Sequence, residues 1–223
     1  MSKYEKFRNR MTRNGSDRQT ATKERSKKVV YNRIMKSPSL SYVKVNDEEE
    51  KYPVIISQDK RYLEKRFLFL PDTKVTAGSL ITEDNGRVYL ALNRDDDDIY
   101  PQLLCELCNH DFVITTESKK VIVGYNEMGM PVYEEQVKEM TVPSVLYTNV
   151  YSTLGNTSVS LPSGALIVRI PYDEEYLKYI HKNDPYEMNT GTYRITEISR
   201  EYVIYGEEGF VEITLQRKVE DDE

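Results

Sequence analysis

Residues 79–92 read SLITEDNGRVYLAL, two runs of strand-forming residues on either side of an Asn85-Gly86 pair. Asn-Gly readily supplies the positive φ angles of a type I′ turn, so this segment predicts a β-hairpin. Strand-like runs continue on both sides of it, for example in residues 52–56 and 103–114, and return near the C-terminus in residues 193–215. The chain therefore predicts a mainly β fold.

The first 38 residues follow a different pattern and predict an N-terminal helical arm. Helix formers fill two stretches that are separated by Asn14-Gly15, and Pro38 ends the second stretch. Ser16, with Gln19 three residues later, is typical of an N-cap with a capping box for the second helix. Because apolar residues are sparse here, we expect the arm to become ordered only against a partner.

Charge divides the chain sharply at the end of this arm. Twelve basic and three acidic residues give residues 1–36 a net charge of +9, whereas the rest of the chain carries −15. An asymmetry of this size favours oriented docking or assembly, and we expect the arm to dock on a partner. The basic residues of the arm are Lys3, Lys6, Arg8, Arg10, Arg13, Arg18, Lys23, Arg25, Lys27, Lys28, Arg33 and Lys36.

Two small β-barrel-like modules are predicted after the arm. The first spans residues 39–139 with a projecting hairpin around residues 120–137, and the second spans residues 140–223 with an acidic C-terminal tail. Each contains an acidic turn, a short extended piece, a glycine and paired strands, so we interpret the two as a structural duplication. The predicted turn residues are Asp72, Gly78, Asn85, Gly86, Asp184, Gly191 and Gly209.

Cys105, Cys108 and His110 form a spacing that is typical of metal ligands, and His181 would complete a zinc set. Against this hypothesis, the cysteines lie in an apolar run that predicts a strand, where positions three apart face opposite sides. Buried cysteines are the interpretation that this pattern favours. A Cys-His nucleophile would need an orienting third group that the sequence does not show.

Other patterns point away from catalysis and from membranes. The run of aspartates in residues 95–98 favours a solvated loop over a cation site, since it lacks the glycine and glutamate of an EF-hand. Nucleotide-binding, zinc-protease and serine-hydrolase motifs are absent from the sequence. It has no apolar stretch long enough for a membrane span and no signal peptide. We expect no enzymatic activity, no cofactor and no membrane partner.

The chain resembles neck proteins, the head completion or head closure proteins, of tailed bacteriophages that infect Gram-positive bacteria. The similar features are a basic helical start that ends in Ser37-Pro38-Ser39, Gly78 before a hairpin, and the segment LCELCNH in residues 104–110. The C-terminal part of the chain is also similar, with Asn183-Asp184 followed by GTYRI and GFVEITL and then an acidic tail.

This resemblance implies a virion structural subunit built of small β-barrels, made in the host cytoplasm. Such a subunit forms a homo-oligomeric ring between the portal protein and adjacent neck or tail proteins. The ring surrounds the double-stranded DNA and helps to retain or pass the genome. The acidic body would then repel DNA along the channel, while the basic arm would clasp the portal or a neighbouring subunit.

Two alternative functions remain open at this stage. A tail-terminator or tail-tube component differs from a neck ring only in its partner. A nucleic-acid-binding module would use the basic arm on phosphates, and its affinity would fall steeply with salt.

Overall fold

The computed structural model describes residues 3–11, 17–46, 48–59, 63–95, 97–125, 128, 130–148 and 164–218. With 54% strand and 15% helix, the fold is mainly β, as predicted. The chain divides into two compact units, Met1–Leu107 and Cys108–Glu223. The first holds a closed barrel and the second a half-barrel sheet, so the predicted fold class is confirmed.

Two helices form the N-terminal arm, α1 at Lys3–Met11 and α2 at Arg18–Met35. The N-cap of α2 is Asp17, whose carboxylate accepts a hydrogen bond from the Thr20 N–H at 2.9 Å. The prediction of Ser16 as N-cap is therefore wrong by one residue, because aspartate caps a helix as well as serine does. As predicted, the helix ends before Pro38.

Six antiparallel strands close the barrel of the first unit, in the order β1-β2-β3-β6-β5-β4. The closing pair is β1 with β4, in which Val43 lies opposite Glu83. Fully buried side chains, among them Phe67, Tyr89 and Leu103, fill the interior. The strands are β1 at Leu40–Val45, β2 at Lys51–Gln58, β3 at Glu64–Phe69, β4 at Leu80–Glu83, β5 at Val88–Asp95 and β6 at Gln102–Leu107.

The predicted hairpin of residues 79–92 is present as β4 and β5, but its turn is of another type. Gly86 has φ +81°, whereas Asn85 is not in the positive-φ region that a type I′ turn requires. The Gly86 N–H donates to the Glu83 carbonyl at 2.9 Å, and Arg87 pairs with Glu83. This three-residue loop has the pattern of a type I turn followed by a G1 bulge.

The second unit holds a sheet in the order β10-β11-β13-β9-β8-β7, with the short β12 paired to β13. Its core contains Phe112, Val168 and Ile213. The strands predicted in residues 193–215 are present as β11, β12 and β13, with β13 paired to both of the others. The elements are β7 at His110–Tyr125, β8 at Pro131–Tyr147, β9 at Ala165–Pro171, α3 at Glu174–Leu177, β10 at Pro185–Met188, β11 at Gly191–Ser199, β12 at Val203–Ile204 and β13 at Glu208–Arg217.

The boundary between the units differs from the predicted one at residues 139/140, which falls inside β8. The apolar run 103–114 is two strands rather than one, because β6 ends at Leu107 and β7 starts at His110. The projecting hairpin therefore belongs to the second unit. The proposed duplication also differs in detail, since a strand, β10, lies between Asp184 and Gly191, whereas residues 73–77 form none.

Candidate assembly surfaces

The inner face of α2 packs on the barrel of its own unit. Val30 and Ile34, four residues apart, are 2% and 1% exposed. On the same face, Lys23 pairs with Asp98 and Lys27 pairs with Asp72. The expectation that the arm orders only against a partner is therefore wrong for α2, which the chain's own barrel holds.

In each ion pair, the pKa of one partner shifts in the direction that stabilises its charged form. The hydrogen bond from Lys23 lowers the pKa of Asp98, and the hydrogen bond to Asp72 raises the pKa of Lys27. The aspartate-rich loop predicted to be solvated thus has a structural role at Asp98. Asp97 accepts a hydrogen bond from the Ile99 N–H at 2.8 Å, and Asp96 lies outside the described residues.

The outer face of α2 lies about half a turn away from the buried pair. We define it by Arg18, Arg25, Val29, Arg33 and Lys36, all of them exposed. Val29 is 61% exposed, and Arg25 and Arg33 lie one turn before and after it. The result is an apolar side chain framed by positive charge.

The structure distributes the twelve predicted arm residues over several settings. Lys23 and Lys27 are held by the barrel, and the outer face contains four others. Lys3, Lys6, Arg8 and Arg10 belong to α1, Lys28 is exposed on α2, and Arg13 lies outside the described residues.

The predicted turn residues of the first unit have turn geometry. Asp72 has φ +66° and Gly78 has φ +83°. The Asp72 N–H donates to the Asp98 carbonyl at 3.3 Å, which ties two loops together beneath α2. The Gly78 N–H donates to the Ala91 carbonyl at 2.7 Å, just before β4.

The turn residues of the second unit include one tight backbone crossing. Asp184 accepts a hydrogen bond from the His181 N–H at 2.9 Å, and Gly191 opens β11 with φ +130°. Gly209 has φ +126°, and a Cβ placed on it would lie 2.0 Å from the Tyr202 carbonyl oxygen. Only glycine fits this crossing.

The candidate zinc residues take other partners. Cys105 is buried in the barrel core and Cys108 is half-buried. His110 Nε2 lies 3.0 Å from the Tyr186 hydroxyl, and burial lowers the pKa of His110. His181 Nδ1 lies 3.4 Å from Asp184. Within the described residues, no group of three or more His, Cys, Asp or Glu side chains is placed to hold a metal ion.

An apolar ribbon projects from the sheet of the second unit. β9 pairs with β8 at Val145–Tyr147, so the distal part of the β7–β8 hairpin is two-stranded. Val121 and Ile122, which are regularly paired with β8, are 38% and 48% exposed although successive strand residues point to opposite faces. The exposed apolar side chains of the ribbon are Val121, Ile122, Val123, Tyr125, Met128, Met130, Tyr133 and Val137.

A second exposed feature is the tip of the β12–β13 hairpin, which we call the 204–208 tip. Tyr205 is 97% exposed and Ile204 is 50% exposed. Sequence reasoning missed this tip, because Ile-Tyr before Gly206 resembles an ordinary strand end. It also missed the ribbon's apolar surface, although the unbroken run VIVGY, without alternation, carries that signal.

Comparison with known proteins places the chain in a family. No curated protein and no solved structure matches it significantly. The family described as YomX C-terminal domain matches residues 41–216. The chain belongs to this family. The family is phage-associated, of the Bacillus prophage type, which confirms the resemblance to phage proteins at that level.

In this YomX C-terminal domain protein, the matched region begins in β1 and ends in β13. The ribbon and the 204–208 tip lie within the family region, whereas α1 and α2 precede it. In the part of the chain that is described, no helix has the length and apolarity needed to cross a membrane.

Proposed function

We propose that this YomX C-terminal domain protein is a structural subunit of a phage virion. It forms a homo-oligomeric ring in the neck, between the portal protein and the tail, around the double-stranded DNA. The phage-associated family and the mainly β fold support this proposal. The proposal assigns the chain no catalytic step and no cofactor.

The observation that carries the proposal is the apolar ribbon. Six of its eight exposed apolar side chains lie on the two strands, with Ile122 and Tyr133 paired on one face and Val121 on the other, and the other two, Met128 and Met130, lie in the turn. Large exposed apolar patches mark sites of protein association, since burying such surface removes it from water. A ribbon that is apolar on both faces is suited to insertion between two neighbouring subunits of an assembly.

Charge supports the placement around DNA. The chain after the arm carries −15, and a wall of that sign repels phosphates, so that DNA slides through the channel rather than binding. The outer face of α2 is basic and is directed away from the barrel that holds the helix. It is therefore available to the portal or to a neighbouring subunit.

The proposal is tested by locating the chain in purified particles. Antibody labelling with electron microscopy is expected to mark the junction of head and tail, and the label is expected to stay with DNA-filled heads when tails are absent. Label that stays with free tails would favour a tail terminator instead. Absence from virions, together with salt-sensitive DNA binding by the free chain, would favour the nucleic-acid module.

Variants of the ribbon connect this location to the structure. Ile122 and Tyr133 are direct cross-strand partners, and threonine at both positions keeps strand propensity while removing apolar surface. In a phage whose own copy is deleted, the double variant is expected to leave filled heads and separate tails. Tyr42→Thr is the control, since Tyr42 is 43% exposed on the barrel. Normal particles from the double variant would reject the role of the ribbon.

A further inference from the structure

The 204–208 tip holds a bulky aromatic residue in a conformation that such residues rarely adopt. Tyr205 has φ +52° and Gly206 has φ +74°, and the Glu207 N–H donates to the Ile204 carbonyl at 3.1 Å. Positive φ at both central residues is the pattern of a type I′ turn, for which Asn-Gly is the favoured pair. Tyrosine at this position costs free energy that asparagine would not.

Among the described residues, nothing compensates for that cost through the side chain, because Tyr205 is 97% exposed. The base of the hairpin, by contrast, is rigidly built. Tyr202 and Phe210 stack with ring centroids 4.6 Å apart. The Arg169 guanidinium lies 5.3 Å from the Phe210 centroid and pairs with Glu212 at 3.0 Å. The hairpin thus presents its aromatic tip from a stiff support, an arrangement suited to docking.

The surroundings of the tip specify the charge of its partner. Glu201, Glu207 and Glu208 are exposed around Ile204 and Tyr205. The tip therefore has an apolar centre with an acidic rim. A complementary partner surface has an apolar centre with a basic rim. Arginine is the favoured rim residue, since its guanidinium both pairs with carboxylates and stacks on tyrosine rings.

The chain itself contains such a surface. On the outer face of α2, Val29 lies between Arg25 and Arg33, with Arg18 and Lys36 beyond them. We propose that the 204–208 tip of one copy docks on the outer face of α2 of the next copy. This inference rests on the proposed ring and names one of its subunit contacts.

Such a contact can build a ring. The tip belongs to the second unit and α2 to the first, so the two surfaces are different. When the two surfaces of one subunit meet two different neighbours, the contact is heterologous, and repeating it generates a closed ring or an open filament. Every subunit then uses its tip on one neighbour and its α2 on the other.

A photo-crosslinking experiment tests the contact directly. The full chain carries p-benzoylphenylalanine in place of Tyr205 and is mixed with an isotope-labelled chain of natural sequence, so that adducts between copies differ in mass from adducts within one copy. The expected result is an adduct between copies that maps to residues 18–36. Adducts confined to other segments, or none between copies at the highest soluble concentration, would overturn the proposal.

Tyr205→Asn separates docking from folding. Asparagine tolerates positive φ, so the variant is expected to unfold at a higher urea concentration than the natural chain. Its association between copies, measured by sedimentation equilibrium, is expected to weaken about 30-fold, the effect of losing one central aromatic contact. Tyr179→Asn is the control, since Tyr179 is 39% exposed in the same unit. Unchanged association of Tyr205→Asn would reject the contact.

Charge reversal tests the assigned partner. Glu207→Lys and Arg25→Glu are each expected to weaken association about tenfold, and the chain that carries both is expected to regain most of it. Glu187→Lys makes the same charge change on exposed β10 and is expected to have no effect. Failure of the double variant to recover would overturn the pairing.

The outcomes also separate this contact from the neck assignment. If virions contain the ring but Tyr205→Asn assembles normally, the contact is wrong and the ring stands. If the crosslink to α2 forms but virions lack the chain, the contact stands and the neck assignment fails.

Discussion

Gly209 illustrates how one residue constrains the second unit. Its φ of +126° lies outside the usual range of other residues, and the Tyr202 backbone crosses directly beside it. We expect Gly209→Ala to lower the free energy of unfolding by about 4 kcal/mol or more, because neither backbone segment can move without breaking the hairpin. Urea denaturation followed by circular dichroism measures this loss.

Gly206→Ala is the matched control for that variant. Gly206 has φ +74°, but a Cβ there meets nothing within 4 Å. Gly206→Ala therefore has only the cost of placing alanine at a positive φ angle, about 1 kcal/mol. Equal losses for the two variants would show that the close approach to Tyr202 contributes nothing.

His110 links stability to pH. Burial lowers its pKa below the ordinary value of 6.5, so the unfolded chain takes up the proton at a higher pH than the folded chain. The contribution of His110 to the free energy of unfolding is fully present above pH 6.5 and decreases as the pH falls below that value. The natural chain is expected to exceed His110→Gln in free energy of unfolding, and we expect this difference to decrease as the pH is lowered from about 7.5 to about 5.5.

The control for this pH effect is Tyr186→Phe. It removes the hydroxyl that lies 3.0 Å from His110 Nε2 and accepts from the Val113 N–H, so it destabilises the fold. Burial remains the main cause of the lowered pKa of His110. The urea midpoint of Tyr186→Phe is therefore expected to depend on pH as steeply as that of the natural chain. If the stabilities of the natural chain and His110→Gln changed with pH in parallel, His110 would not be the source of the pH dependence.

At the scale of single elements, the inner face of α2 holds the helix on the barrel. Ile34 is 1% exposed against the barrel, and we expect Ile34→Ala to cost about 3 kcal/mol of first-unit stability. Hydrogen exchange of the amides of α2 is expected to accelerate more than that of the strands, since the helix loses its anchor first. Urea denaturation of residues 1–107 measures the stability.

Val29→Ala changes a residue of the outer face on the same helix. Val29 is 61% exposed, so the substitution is expected to change stability by no more than about 0.5 kcal/mol. A comparable loss from both substitutions would mean that α2 is not held through its Val30 and Ile34 face.

The elements show what the sequence contained and why parts of it were misleading. The hairpin of residues 79–92 was predictable from Asn85-Gly86, but its turn type was not. The Asn85 side chain donates to Glu83 and accepts from the Arg87 N–H, both at 2.9 Å, and so supports a longer loop. The spacing of Lys23, Lys27, Val30 and Ile34 contained the docking signal of α2. The net positive charge of the arm instead favoured the prediction that the arm docks on a partner.

The exposed surfaces were harder to predict, because apolar residues normally indicate a core. The ribbon around Val121 and Ile122 has the composition of a buried strand, and only the three-dimensional structure shows both faces exposed. Tyr205 gave no signal at all, since its positive φ depends on the register of β12 with β13.

At the scale of the whole molecule, the two units differ in how much sheet edge and apolar surface they expose. The closed barrel of the first unit pairs all its strands and leaves no sheet edge. The sheet of the second unit ends at β7 and β10, and it carries both the ribbon and the 204–208 tip. In the proposed assembly, contacts through strands or the ribbon are therefore made by the second unit, and the first unit contributes the basic outer face of α2.

This division predicts that residues 1–107 fold alone as a monomer. The fragment keeps all six barrel strands and α2 with its buried Val30 and Ile34, so its core is complete. A fragment of residues 1–139, cut inside β8, adds Phe112 and Ile114 without the partners that bury them in the second unit. We expect the shorter fragment to be monomeric with cooperative urea unfolding, and the longer one to aggregate, as judged by light scattering after size exclusion. A folded, monomeric 1–139 fragment beside an unfolded 1–107 fragment would show that the barrel needs β7, and the boundary at Leu107 would then be misplaced.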